Sequence, residues 1–340
     1  MNGNSDYDVF HLGDVELQSG ETLLDAKLAY KIHGRLNKDG NNVVVLPTFM
    51  TGTHRRNEGF FGAGRAIDPA KHFIVSINLF GNGISSSPTV ADPLQRGARF
   101  PKITLHDNVR CQRRLLAEVL GVNQVALVAG WSMAGCQAYE WATQCGDMVK
   151  AIAPICASAK TSPHNLVFLE GLKAALCADQ EWNGGAYLSP PESGLKAFAR
   201  VYAGWAYSQR FYREGLYRKL GFDTIEDFLI SWEDDHLKNW DANNLLAKLW
   251  SWQNADISAN AAFSGNFVHA LQSIAARTIV ISCRQDLYFT PDDNAIEVDH
   301  IRNGELRVYD SHWGHCAASP GNDKVFEQYI DGCFAELLNA

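Results

Sequence analysis

One serine stands in a local sequence that is typical of a nucleophile. Ser132 is the centre of Gly130-Trp-Ser-Met-Ala134, which directly follows the apolar run at residues 125–129. A nucleophile on a sharp turn between a strand and a helix needs small residues two positions away, because larger side chains would clash there. The helix that follows also points its first N–H groups toward a developing oxyanion. A helix cap is the alternative role for Ser132, but it does not explain the small flanking residues.

A serine nucleophile needs a general base, and the base needs an acid that orients it. In a strand–turn–helix architecture of this kind the chain order is serine, acid, histidine. His315 follows the last predicted strand, and the glycine before it lets the loop bend, which favours it over the nearby His312. Asp286 is the first carboxylate after the preceding predicted strand, whereas Asp292 and Asp293 suit a turn or a helix cap. We therefore predict a Ser132–His315–Asp286 triad.

The negative charge that develops on an attacked carbonyl needs backbone donors nearby. The N–H of Met133, the residue after the nucleophile, is one predicted donor. The second is expected from the loop at residues 46–52, where Met50 is the candidate, although its side chain can equally line the pocket. No CxxC pair and no Cys/His cluster has metal-ligand spacing. The sequence thus predicts acyl-enzyme chemistry that uses neither a metal nor an organic cofactor.

The elements that must position these residues alternate along the chain. Short β-branched runs, nearly continuous in hydrophobicity, alternate with helical patterns, which favours an α/β fold with a mainly parallel sheet. Helices are predicted over residues 109–120 and from about residue 133 to residue 142. The predicted strands cover residues 43–46, 73–78, 125–129, 151–155, 278–282 and 306–309.

The alternation stops between about residue 159 and residue 268. This stretch holds six of the nine tryptophans, and no proline occurs from residue 192 to residue 290. Such a composition favours several amphipathic helices inserted between two strands of one sheet. The predicted organisation is therefore a core at residues 1–158, a helical lid at 159–268 and the rest of the core at 269–340.

Composition excludes several classes of protein. The 340 residues are 46% hydrophobic and 20% charged, with 30 basic and 38 acidic side chains, so a large core is expected and a nucleic-acid partner is not. Two short basic clusters, His54-Arg55-Arg56 and Arg113-Arg114, suit solvated surface better than a small-anion site. The polar N-terminus, the lack of a membrane-length apolar run and eight scattered cysteines predict a soluble, cytoplasmic protein with reduced thiols.

Motifs along nearly the whole chain resemble the homoserine O-acetyltransferase family of the α/β-hydrolase fold. The motifs that carry the resemblance are FMTG (49–52), GAGRAID (62–68), INLFG (77–81), FPKIT (100–104), WNGG (182–185), WDAN (240–243), DLYF (286–289) and GH (314–315). The resemblance implies an α/β-hydrolase fold with a helical lid, and it implies the same acid and histidine at the last two motifs. Because the lid helices of this family often mediate homodimers, it also implies a homodimer.

Departures from the family pattern bear on the substrate. The family has glycines around the serine where this chain has Trp131 and Ala134, so Trp131 is expected to reshape the site. The family aspartate that follows the histidine and contacts the amino group of homoserine is replaced by Cys316, and a thiol is no counter-charge for an ammonium. Arg200 and Tyr207 match lid residues that help hold the substrate carboxylate. Their alternative roles are a lid salt bridge and an aromatic core contact.

These departures predict intact acyl-enzyme chemistry with lost amino-acid recognition. The leading interpretation is a serine ester hydrolase that acts on short-chain, acetate-type esters of simple alcohols, like the esterase members that the family resembles. An acyl-CoA-dependent O-acyltransferase acting on another hydroxyl acceptor is the alternative. A catalytically idle binding module is a third interpretation, which the complete set of triad residues disfavours.

Overall fold

A computed structural model describes residues 5–339 and contains an eight-stranded sheet. The strands lie in the order β1-β2-β4-β3-β5-β6-β7-β8. All neighbours from β4 to β8 pair in parallel, and only β1 and β2 run antiparallel to their neighbours. The strands are β1 (Asp8–Glu16), β2 (Thr22–His33), β3 (Val43–Pro47), β4 (Phe73–Ile77), β5 (Leu127–Trp131), β6 (Ala151–Ile155), β7 (Arg277–Cys283) and β8 (Gly304–Tyr309).

The first two strands form an edge hairpin that the sequence pattern does not predict. Most residues of β1 are exposed or half-buried, so the strand lacks the continuous apolar run of the central strands. Its pairing with β2 also shifts between His11 and Gly13 and again between Gly13 and Val15. These irregularities interrupt the alternation of apolar and polar residues by which an edge strand is normally recognised.

Both faces of the central sheet are covered. Val44 and Leu46 of β3 belong to one buried cluster, whereas Val43 and Val45 belong to another. Alternate residues of a strand point to opposite faces, so each cluster fills one side of the sheet. Burial on both faces is the reason why the sequences of these strands are almost continuously hydrophobic.

Eleven α-helices lie within the described residues. The predicted helix at residues 109–120 begins earlier, at Leu105, because Thr104 and Asp107 form a reciprocal capping box, and it ends in a π turn at Leu115–Val119. The helices are α1 (His54–Asn57), α2 (Leu105–Arg114), α3 (Met133–Gln144), α4 (Pro163–Cys177), α5 (Glu192–Ala206), α6 (Gln209–Arg213), α7 (Ile225–Asn239), α8 (Ala242–Gln253), α9 (Phe267–Gln272), α10 (Pro291–Val298) and α11 (Lys324–Leu338). None of the helices between residues 5 and 339 has the length and apolar character that crossing a bilayer requires.

Six of these helices, α4 to α9, separate β6 from β7. Lys160 and Asp256 form an isolated antiparallel bridge, and their side chains pair at 2.8 Å, where the chain leaves the sheet and where it returns. We use the word lid for residues 159–268, as the sequence analysis defines it, and this division remains a proposal.

Candidate active site

The turn between β5 and α3 holds Ser132 in a strained conformation. Its backbone angles are φ 61° and ψ −133°, a combination that a residue with a side chain rarely adopts and that clusters at functional sites. Its N–H donates to the carbonyl of Ile155 at 2.9 Å, which ties the turn to β6. A Cβ atom on Gly130 would lie 2.4 Å from the Cβ of Ala134, so the turn closes only with glycine at position 130. This contact is the physical reason for the small residues on both sides of Ser132.

Asp286 and His315 form a buried, hydrogen-bonded pair. The imidazole Nδ1 lies 2.6 Å from Oδ2 of Asp286, and both side chains are almost fully buried. The other carboxylate oxygen, Oδ1, accepts the backbone N–H groups of Tyr288 and Phe289 at 3.1 and 3.0 Å. Because an ionised carboxylate only accepts hydrogen bonds, the proton of the neutral imidazole lies on Nδ1 and Nε2 keeps a free lone pair.

The glycine before His315 permits a close approach between the histidine loop and the lid. Gly314 has φ +64°, and a Cβ atom there would lie 2.6 Å from the backbone nitrogen of Ser208. His312, the alternative base, instead contacts Glu214 at 2.7 Å through Nδ1. The structure therefore brings His315, and not His312, to Asp286.

Ser132 and His315 share one cavity of about 240 Å³. The carboxyl ends of β3, β5, β7 and β8 lie at the same edge of the parallel sheet, and the segments that follow them carry the predicted residues. Ligands bind at this edge in open α/β sheets. The predicted residues on the cavity wall are Met50, Trp131, Ser132, Tyr207, His315 and Cys316.

Two backbone donors beside Ser132 have no acceptor within residues 5–339. They are the N–H groups of Met50, in the loop after β3, and Met133, the first residue of α3. The side-chain amide of Gln137 donates to the carbonyls of Thr48 and Met133, at 2.9 and 3.2 Å, and so joins the two segments. Met50 lines the same cavity as Ser132, and Met133 follows Ser132 in the chain, so both N–H groups remain candidates for an oxyanion site.

Comparisons with known proteins place this geometry in a family. A family model described as the alpha/beta hydrolase fold matches residues 41–320. The chain belongs to the α/β-hydrolase family. The predicted fold, with its mostly parallel sheet, is therefore confirmed.

Within this family, the chain is similar to acetate ester hydrolases and to homoserine O-acetyltransferases. An ethyl acetate hydrolase of Pseudomonas veronii is 34% identical over 98% of this chain and 96% of its own. The structure of the acetyl esterase MekB superposes with a TM-score of 0.95 at 34% identity, covering 98% of this chain and 97% of that one. A homoserine O-acetyltransferase of Nostoc punctiforme is 33% identical over 89% of this chain and 88% of its own. The resemblance inferred from the motifs is thus confirmed.

Arg200 does not line the cavity that Ser132 and His315 share. Its guanidinium pairs with Glu226 through two nitrogens, at 2.5 and 3.1 Å, and also with Glu233. These carboxylates raise the pKa of Arg200 above its ordinary value. All three residues lie on lid helices α5 and α7, so the structure places Arg200 in the alternative role that the sequence left open, a lid salt bridge.

Tyr207 and Cys316 lie together on the cavity wall. Burial raises the pKa of the Cys316 thiol to about 12, and burial also raises the pKa of the Tyr207 phenol. Both groups are therefore neutral at physiological pH. Trp131 completes this wall, with ring centroids 4.8 Å from Phe49 and 5.1 Å from His315. This part of the wall offers neutral aromatic and thiol surface, and the charged side chains on the cavity wall are Arg56 and Asp235.

Three further residues at the site are not singled out by the sequence analysis. Cys156 follows β6, and its Sγ lies within 4.8 Å of Asp286 and His315. Burial raises the pKa of this thiol well above its ordinary value, so it packs against the pair as a neutral group. The Tyr288 ring lies 4.4 Å from the His315 ring, and Lys248 of α8 donates to Met50. Cys156 carries a signal in the sequence, namely its place directly after a predicted strand, and Tyr288 belongs to the DLYF motif, whereas Lys248 carries none.

Proposed function

We propose that the protein is a serine carboxylic ester hydrolase that acts on short-chain, acetate-type esters of simple alcohols through an acyl-enzyme. One observation carries the proposal: His315, which is paired with the buried Asp286, lines the same cavity as the strained Ser132. The named activities of the similar proteins, ethyl acetate hydrolase and acetyl esterase, support the same reaction class.

The proposed mechanism assigns one step to each group. Ser132 attacks the ester carbonyl while Nε2 of His315 takes its proton, and Asp286 stabilises the imidazolium that forms. The N–H groups of Met50 and Met133 bind the oxyanion. His315 then protonates the departing alkoxide, and a water activated by the same nitrogen releases the acid from Ser132.

The cavity supports a small substrate. Its volume of about 240 Å³ is below the range of roughly 300–1,000 Å³ that is typical of pockets for drug-sized ligands. Trp131 and Tyr202 are among the aromatic side chains on its wall, which suits a short acyl group and a short alcohol. We therefore propose acetate esters of small alcohols as the substrate class.

An acyl-CoA-dependent O-acyltransferase is the second candidate, favoured by the similarity to a homoserine O-acetyltransferase. It would use the same acyl-enzyme, so the triad does not distinguish the two reactions. The neutral thiol of Cys316 and the engagement of Arg200 with two glutamates support hydrolysis, because neither supplies the charged partner that zwitterionic homoserine needs; Arg56 and Asp235 are the charged side chains that do line the cavity.

A fluorophosphonate probe tests the nucleophile. The unmodified protein is expected to gain one covalent adduct on the peptide that contains Ser132, and Ser132→Ala is expected to lose both the adduct and the esterase activity. Ser319 lies on the same cavity, so Ser319→Ala is the matched control and is expected to keep both. Esterase activity that survives in Ser132→Ala would contradict the proposal.

We also propose that the enzyme works as a cytoplasmic homodimer, on the family resemblance and the scattered cysteines. Light scattering of the purified protein tests the dimer: a mass of about twice 37.6 kDa is expected, and 37.6 kDa at micromolar concentration would contradict it.

A further inference from the structure

Lys248 is a fully buried lysine that joins the lid to the loop after β3. It lies on α8, and its Nζ donates to the carbonyl oxygen of Met50 at 2.5 Å. The same ammonium lies 4.0 Å from the centre of the Trp240 ring. Within residues 5–339 it takes part in no ion pair, so the Met50 carbonyl and the Trp240 face are the contacts that hold it in place.

A buried lysine without a carboxylate partner is an unfavourable choice for packing alone. Burial lowers the pKa of Lys248 to about 7, which shows how poorly this environment solvates the charge. A leucine or methionine would fill the same space without that penalty. The contact that a leucine or methionine could not make is the hydrogen bond to the Met50 carbonyl.

Met50 is held from two directions. Gln137, on the nucleophile helix α3, fixes the carbonyl of Thr48 at 2.9 Å. Lys248 fixes the carbonyl of Met50 itself, 198 positions away in the chain. The Met50 N–H shares its peptide plane with the Phe49 carbonyl, which accepts the N–H of Gly52 at 3.1 Å. Because Lys248 holds the next plane, that of the Met50 carbonyl, both peptide planes that flank the Met50 Cα are fixed.

We propose that Lys248 is a positioning residue that aligns the Met50 N–H with the oxyanion and so makes the oxyanion hole depend on the docked lid. The inference rests on the proposed function and assigns a role within it. Lys248 touches neither the substrate nor the reacting atoms; it acts through Met50.

Lys248→Met tests the proposal, because methionine keeps much of the length and removes the donor. Removing one oxyanion donor outright lowers kcat by about 10²–10³-fold, so a misaligned donor is expected to lower kcat by about 10–100-fold. KM for p-nitrophenyl acetate should change by less than about 3-fold, since the ground-state ester makes little use of the hole. Inhibition by a methyl trifluoromethyl ketone, which forms an oxyanion on Ser132, should weaken by the same factor as kcat.

Rates are expressed per active site, titrated by fluorophosphonate labelling of Ser132 carried to completion, so that loss of folded protein does not register as loss of kcat. A purely structural role for Lys248 would lower the melting temperature and leave both kcat per site and the ketone inhibition constant unchanged, which would overturn the proposal. Lys102→Met is the matched control. Lys102 also lies over a tryptophan, Trp250, but it is exposed and makes no hydrogen bond to Met50. It should behave like the unmodified protein.

If Lys248→Met does not fold, Trp240→Leu carries the same test, because it removes the second contact of the ammonium. Trp240→Leu is expected to lower kcat and the affinity for the ketone by the same factor, and by less than the loss of a donor would. If a folded Trp240→Leu keeps the normal kcat and ketone affinity, the proposal is overturned. Failure of the esterase function is distinguishable, since the unmodified protein would then not hydrolyse p-nitrophenyl acetate at all.

Discussion

Replacing Asp286 by asparagine is expected to abolish most of the activity while it preserves the fold. The carboxylate accepts three hydrogen bonds, from the N–H groups of Tyr288 and Phe289 on Oδ1 and from Nδ1 of His315 on Oδ2. In Asp286→Asn only one oxygen remains, and the two backbone donors require it. The amide NH₂ then faces His315, which must present a lone pair on Nδ1 and carry its proton on Nε2.

This tautomer cannot take the proton of Ser132. The corresponding change in a serine-protease triad lowers kcat about 10⁴-fold, which is about 5.4 kcal/mol of transition-state stabilisation. We expect a loss of that order in kcat for p-nitrophenyl acetate, with little change in melting temperature because the backbone contacts of residue 286 persist. Asp292→Asn, an exposed aspartate in the first turn of α10, is the matched control and should keep full activity. An Asp286→Asn enzyme with more than a tenth of the normal kcat would refute the assignment of the acid.

Further predictions concern other residues. His315→Ala should lower kcat by orders of magnitude, whereas His312→Ala, which loses only a surface contact with Glu214, should stay within about 2-fold; steady-state kinetics of both variants checks this. Arg200→Gln should leave kcat/KM for an acetate ester within about 2-fold, because Arg200 pairs with Glu226 and Glu233 rather than lining the cavity; a large rise in KM would place it at the substrate instead. Burial raises the pKa of Glu297 to about 8, so the native state keeps a proton that the unfolded state loses near pH 4.5, and the free energy of unfolding should fall as pH rises between those values. Glu297→Gln does not titrate and should remove a fall on the order of a few kcal/mol in urea titrations from pH 5 to pH 9; an equal pH dependence in the variant would contradict the explanation.

Local pattern was sufficient to predict the centre of the fold. The six predicted strands correspond to β3 to β8. Five of them, β3 to β7, are buried on both faces and therefore appear as apolar runs, whereas β8 is half-buried. The β1–β2 hairpin was not predicted, since its exposed residues and irregular pairing leave no clear alternation. Helix α2 starts four residues before the predicted start, at a cap that apolar spacing alone does not locate.

For the site, the sequence supplied residues whose roles follow from chain order. Ser132, Asp286 and His315 each follow a strand that ends at the same edge of the sheet, so order and strand ends suffice to nominate them. Side-chain contacts between segments that are distant in the chain could not be predicted from the sequence. The Lys248–Met50 hydrogen bond joins two segments by way of the lid, and the direction of the Arg200 side chain is set by Glu226 and Glu233 on another helix.

The competition between water and homoserine as acyl acceptor tests the central claim most directly. The unmodified protein is incubated with an acetate ester, and separately with acetyl-CoA and homoserine, and released acetate and O-acetylhomoserine are measured. Cys316 offers no counter-charge for the homoserine ammonium, so rapid acetate release with little or no O-acetylhomoserine is the expected result. Acetylation of homoserine that outpaces ester hydrolysis would contradict the assignment as an ester hydrolase.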